Sequence, residues 1–316
     1  MTRCGALALL IAGCAGAAPI APVAWPPPPP FEVAVEAAPV RELTLPAIDE
    51  AYAEPAVTTE PTPEPMPEGG APVRVHEHEI EGLYVLEVIV GDASFDDRLP
   101  TVWVLHGRGD RARVPGGLFL ALSQPVRLVV PQAPLSIGEG FSWLPYRVAD
   151  GRTDELALAL REAADRLARA MVILGATHPI RGRPVVTGFS QGGLLSFALA
   201  ALHPELVSTA LPNAGWLPPP LVPASMPAGG FPPIRSTHGR LDDRIPVEPT
   251  EASVAALRAL GADVELRIFD GVGHEMTPEM DQTVRVWLET ALGQVDPPAP
   301  AAARRRPRSR RARAVR

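Results

Sequence analysis

The sequence predicts an α/β domain in which a mostly parallel sheet is covered by helices on both faces. Three observations predict it. From Val73 onward, short β-branched apolar runs alternate with stretches of helical periodicity. One such run, Pro184–Thr187, passes through a glycine-bounded turn directly into an apolar helix, Leu194–Leu202. The patterned region, residues 73–293, spans about 220 residues, enough for one sizeable core.

Each element has its own signal. Strands are expected at Leu83–Val90, Thr101–Leu105, Val126–Val130, Pro184–Thr187, Ser208–Leu211, Ile234–Thr237 and Val264–Phe269. A helix is expected over Asp154–Leu174, with Thr153 as its N-cap. Leu194–Leu202 is the second helix. Thr250–Leu260 is the third and ends before Gly261, a suitable C-cap, and Pro278–Leu292 is the last.

The ends of the chain differ from this body. Residues 14–72 carry many of the 39 prolines, including Pro26–Pro30 in a row, and read as a disordered linker. Every one of the 29 basic residues is arginine, and eight of them fall in Arg304–Arg316. Without those thirteen residues, 21 arginines face 36 acids, a balance of −15. The body is therefore acidic, which argues against a nucleic-acid footprint. The tail, residues 294–316, reads as disordered; it is expected either to touch envelope polyanions or to remain solvated.

Met1-Thr2-Arg3 and the apolar run Ala6–Ala12 form a leader too short to span a bilayer. Ile11-Ala12-Gly13-Cys14 resembles the lipobox of bacterial lipoproteins. That resemblance implies cleavage after residue 13, lipid on Cys14 and anchoring in the cell envelope. Ala15, in place of Asp, points toward the outer membrane. The alternative is an ordinary secretory signal containing a cysteine. Two cysteines, Cys4 and Cys14, give the body no disulfide framework.

The chemistry centres on Gly188-Phe189-Ser190-Gln191-Gly192-Gly193. A serine at the apex of a strand–turn–helix, flanked by glycines, is the signature of a nucleophile elbow. Serine needs a base to take its proton and an acid to orient that base. After such a turn the acid comes next in the chain and the base last. His203, His238 and His274 follow Ser190, but only His274 follows the candidate acids. The acid lies in His238–Pro246, where Asp242 and Asp243 compete and spacing does not choose between them. The oxyanion would be held by the backbone N–H of Gln191 and by one from Leu105-His106-Gly107-Arg108-Gly109-Asp110, with Arg108 the candidate. His76 and His78 alternate as strand neighbours, yet no third metal ligand is apparent and a solvated edge is expected.

Five motifs occur in order: Leu105–Asp110, Pro131-Gln132-Ala133-Pro134, Gly188–Gly193, His238–Pro246 and Gly273-His274-Glu275. Together they resemble the phospholipase/carboxylesterase family, which includes acyl-protein thioesterases. The resemblance implies an α/β-hydrolase fold without a large lid domain. It implies Asp242 as the acid, with Pro246 in register, and Trp143 lining the substrate side, core packing being the alternative for that tryptophan. It implies hydrolysis of small carboxylic esters or thioesters through an acyl-enzyme, with no cofactor and no metal. Polyester or polysaccharide-acyl cleavage, or a non-catalytic envelope binding protein, are the competing expectations. Arg108 stands where the family usually has an apolar residue.

Overall fold

The structure, a computed structural model, describes residues 72–294. The leader 1–13, Cys14, the proline-rich segment up to residue 71 and the arginines of 304–316 lie outside the described residues. No described helix is long and apolar enough to cross a membrane.

Eight strands form one sheet in the order β1-β2-β4-β3-β7-β8-β9-β10. They are β1 (Val73–Ile80), β2 (Leu83–Val90), β3 (Thr101–Leu105), β4 (Val126–Pro131), β7 (Val185–Phe189), β8 (Thr209–Asn213), β9 (Ile234–Gly239) and β10 (Val264–Phe269). The strands from β4 through β10 in that order pair in parallel, while β2 is antiparallel to both its neighbours. A separate hairpin, β5 (Leu135–Ile137) with β6 (Gly140–Ser142), leaves the end of β4.

Because successive strand residues face opposite sides, two cores result. Trp103, Leu105 and Val186 pack under the helices α1 (Thr153–Thr177), α2 (Gln191–Leu202) and α3 (Val247–Ala259). Val102, Leu128, Val185 and Leu211 pack against Val284 and Leu288 of α4 (Pro278–Gln294) on the other face. Residues Gln191 through Ala201 of α2 are all buried, which explains why that stretch is apolar all round and lacks a stripe.

The sequence-based helices all form, with two differences at their starts. Thr153 is the first helical residue and not the cap; Arg152 holds the cap position without a side-chain cap bond. α3 starts earlier than expected, at Val247 directly after Pro246. Its end is as expected: Gly261 has φ +87° and donates its N–H to Arg258 O. The segment after β8, with no separate lid domain among the described residues, packs into the helical layer. Leu217 and Leu221 are buried there, and the Leu217 N–H donates to Ser253 Oγ of α3.

Strand β1 was not among the expected strands. Its Arg, Glu and His residues carry little strand propensity, yet they suit a solvated sheet edge. It reaches β2 through a two-residue turn, Glu81-Gly82, with φ of +55° and +69°.

Candidate active site

Ser190 sits between β7 and α2 with φ +58° and ψ −117°, a strained conformation for a residue with a side chain. The turn is over-determined. The Ser190 N–H donates to Asn213 O at 3.0 Å, and the Ser190 carbonyl accepts from the Leu194 N–H at 3.0 Å. Its flanking glycines leave no room for more: a Cβ on Gly188 would lie 2.6 Å from the Leu105 carbonyl oxygen, and one on Gly192 would overlap the same atom. The turn therefore rides directly on the end of β3.

His274 comes from the loop after β10. Its Nε2 is 2.9 Å from Ser190 Oγ and its Nδ1 is 2.7 Å from Asp242 Oδ2. A carboxylate can only accept, so the proton of Nδ1 faces Asp242 and the lone pair of Nε2 faces the serine hydroxyl. The Phe189 ring lies 4.8 Å from the imidazole, centroid to centroid. The acid and base loops are in close contact, since a Cβ on Gly239 would overlap the Gly273 carbonyl and the Leu241 N–H donates to Val272 O.

Of the two aspartates that spacing left open, the structure brings Asp242 to His274 and leaves Asp243 exposed. The Asp242 carboxylate is buried. Its Oδ1 accepts from the N–H groups of Arg244 and Ile245 at 3.0 and 2.8 Å. Burial alone would raise its pKa. Hydrogen bonds from His238, from His274 and from the Ile245 N–H outweigh that and hold the carboxyl well below the usual carboxylate range.

The strand expected over Ile234–Thr237 runs further, to Gly239. His238 is the fully buried penultimate residue of β9. Its Nε2 lies 2.7 Å from the Ile245 carbonyl, which can only accept, so Nε2 carries a proton; the same nitrogen is 3.4 Å from Asp242 Oδ2. Its ring thus backs the acid. The available signal was its position four residues before Asp242, at the end of a strand.

Gln191 opens α2, where N–H groups have no partner within the helix and point toward the serine side of the turn. Its side chain ties the turn to the β5–β6 hairpin: Oε1 accepts the Trp143 N–H at 2.9 Å, and the amide bonds with Ser142 Oγ. Arg108 is exposed in the loop after β3. That loop is braced by His106, a residue with no role assigned from sequence. His106 Nε2 accepts from the Ala133 N–H at 3.0 Å, which places its proton on Nδ1, 2.7 Å from Gly107 O. Burial pushes the His106 pKa down, so the ring is neutral in the physiological range.

Trp143 is 4% exposed. Its Nε1–H donates to the His106 carbonyl at 3.0 Å, and its ring packs on His106 at 5.4 Å. Of the two sequence readings, the surroundings of Trp143 are those of core packing: the side chain braces the loop that carries Arg108.

A cavity of about 250 Å³ opens beside the serine turn. Gly107 and Phe189 form its wall nearest Ser190, and Leu118, Phe119, Met276 and Val284 make it largely apolar. Asp281 stands at its edge, and burial pushes that carboxyl up.

A sheet of this order, helices on both faces and a serine at the turn after its central parallel strand define an α/β-hydrolase. The profile of the phospholipase/carboxylesterase family matches residues 92–292, and the chain belongs to that family. A probable inactive carboxylesterase of Oryza sativa is 28% identical over 212 residues, covering 60% of this chain and 84% of that protein. Acyl-protein thioesterase 1 of Gibberella zeae is 26% identical over 212 residues, covering 61% of this chain and 90% of the relative. The crystal structure of esterase PE8 superposes with a TM-score of 0.54 at 26% identity, over 64% of this chain and 97% of that one.

Only one group of His, Asp, Glu or Cys side chains among the described residues stands close enough to hold a metal ion. It comprises His76, His78 and Glu87, on β1 and β2. Glu87 is the neighbour of His76 and His78 that the sequence reading did not identify. Glu87 was hidden from sequence reading inside an otherwise apolar strand, LYVLEVIV.

Proposed function

We propose that the protein hydrolyses carboxylic esters or thioesters through an acyl-enzyme on Ser190. The observation that carries this reading is the continuous chain Ser190 Oγ–His274 Nε2–Asp242 Oδ2, with steps of 2.9 and 2.7 Å, on a strained turn. In this reading Ser190 Oγ attacks the carbonyl carbon while its proton passes to His274 Nε2. Asp242 orients the imidazole and stabilises the imidazolium that forms. The N–H groups of Gln191 and Arg108 hold the oxyanion. His274 then gives its proton to the departing alcohol or thiol. Water attacks the acyl-enzyme with His274 again as base, releasing the acid and restoring Ser190. The apolar cavity beyond Phe189 takes the acyl chain.

Initial rates on a panel of p-nitrophenyl esters and acyl thioesters, for the parent and Ser190→Ala, test this. The reading expects hydrolysis by the parent alone. Equal turnover by both would refute it. A second reading, suggested by the inactive relative from rice, is a binding protein on a hydrolase scaffold. It would leave Ser190 unreactive toward a fluorophosphonate.

We also propose that the domain is tethered in the envelope through lipid on Cys14, on the strength of Ile11-Ala12-Gly13-Cys14. Labelling with palmitate in cells should disappear in Cys14→Ser. The Arg304–Arg316 tail would then add salt-sensitive contact with anionic surfaces.

A further inference from the structure

We propose that His76, His78, His178 and Glu87 form a binding site for one divalent transition-metal ion, Zn²⁺ as first choice, at the end of the sheet opposite Ser190. The four come from three elements. His76 and His78 share a face of β1, Glu87 lies across from His76 on β2, and His178 follows the last turn of α1. The neighbouring Arg127 pairs with Thr101 near the start of β4, whereas Gly188, next to the serine turn, is level with Leu105 at the end of β3. Arg127 thus lies four residues of strand, about 13 Å, from that level, while Glu87, paired with Val129 and so level with Trp103, lies two residues, about 7 Å, from it and three strands across the sheet.

Distances distinguish a shared cation from a shared proton. His78 Nε2 and His178 Nε2 stand 3.5 and 3.4 Å from the same carboxylate oxygen, Glu87 Oε2. A charge-assisted hydrogen bond would close to about 2.7–2.9 Å. Bonds of about 2.0–2.2 Å in a tetrahedron instead hold their ligand atoms about 3.4 Å apart. The nearest ligand atom of His76 completes a group in which those of His76, His78 and Glu87 lie within 4.8 Å of one another.

The protonation pattern points the same way. The Thr177 hydroxyl donates to Ile173 O at 2.8 Å, so its oxygen accepts from His178 Nδ1, 2.8 Å away. That leaves the lone pair of His178 on Nε2, facing the carboxylate oxygen. Two lone pairs directed at each other repel unless a second ring proton or a metal ion stands between them, and the 3.4 Å separation is the spacing that a metal ion sets. Glu87 is fully buried, and neither its Oε2 nor His78 Nε2 has a hydrogen-bond partner.

Arg127 pairs with the other oxygen, Oε1, and is itself fixed by the Phe95 carbonyl at 2.8 Å. It orients the carboxylate and leaves Oε2 to the ion, as an outer-shell partner does. The His76 ring is exposed, stacked on His78 at 5.3 Å and edge-on to Phe95 at 5.7 Å. It supplies the entry side from solvent.

The test uses the full chain with Cys4→Ser and Cys14→Ser, so that thiols do not compete. Zn²⁺ is titrated against a chromophoric chelator, and Co²⁺ is added separately to read its visible bands. The expected result is one Zn²⁺ per chain and the intense bands of tetrahedral Co²⁺. Affinity should weaken roughly tenfold or more in His76→Ala, an exposed position, and again in His178→Ala. Zn²⁺ should raise the melting temperature of the parent and not of the double variant. No Zn²⁺ binding by the parent, or equal stoichiometry and affinity in parent and double variant, would overturn the proposal.

Discussion

The two ends of the sheet use the same chemical types, imidazole and carboxylate, at different spacings. At the end carrying Ser190, each nitrogen faces a partner that completes a proton-sharing pair, and contacts close to 2.7 and 2.9 Å. At the end carrying Glu87, two imidazole nitrogens stop 3.4 and 3.5 Å from one oxygen. The first arrangement suits moving a proton. The second suits sharing a cation. Asp242 shows the contrast most clearly, because it accepts two backbone N–H groups besides His274. Glu87 has an arginine on one oxygen and two imidazole nitrogens beyond hydrogen-bond closure at the other. Composition does not distinguish the two clusters; donor and acceptor bookkeeping does.

Substitutions at each end should report independently. The largest effect is expected from Ser190→Ala, with kcat/KM for a short ester falling roughly 10⁴-fold or more. Asp242→Asn should cost about 10³–10⁴-fold by leaving the imidazole in the wrong tautomer, while Asp243→Asn stays within about twofold. These two adjacent positions make a direct internal control. Asp242 also carries a pH signature. Its folded pKa is depressed, so the folded state binds fewer protons and the stabilisation is complete above about pH 4. It drains only as pH falls toward the lower folded value. Urea unfolding between neutral and acid pH should show an acid-limb slope that flattens in Asp242→Asn.

A smaller effect is expected from Leu118→Trp, which fills the cavity beside Phe189. It should lower kcat/KM for long acyl chains about tenfold and leave acetyl esters near the parental rate. The smallest effect on hydrolysis should come from His178→Ala, within about twofold, because it belongs to the other end of the sheet. A large loss of hydrolysis there would show that the two ends are coupled.

How much of this was legible in the sequence depended on range. The serine turn was readable because Gly188 and Gly192 answer to a local demand, the close approach of the Leu105 carbonyl. His274 was readable from chain order. Asp242 was separable from Asp243 only through the family resemblance, since their directions depend on how the loop folds over Gly273. His238, His106 and Trp143 were left without a role or left open because their partners, Ile245, Ala133 and the His106 carbonyl, are set by tertiary packing. Glu87 was missed for the opposite reason. It interrupts a strand whose apolar character dominates the local pattern, and its partners lie on β1, on β4 and after α1.

The proposed hydrolysis rests on activation of Ser190 by His274. Intact-protein mass spectrometry after brief exposure to a fluorophosphonate, with peptide mapping, tests it most directly. One adduct per chain is expected, on Ser190, formed far more slowly in His274→Ala. No adduct on Ser190, or one formed equally fast without His274, would contradict it.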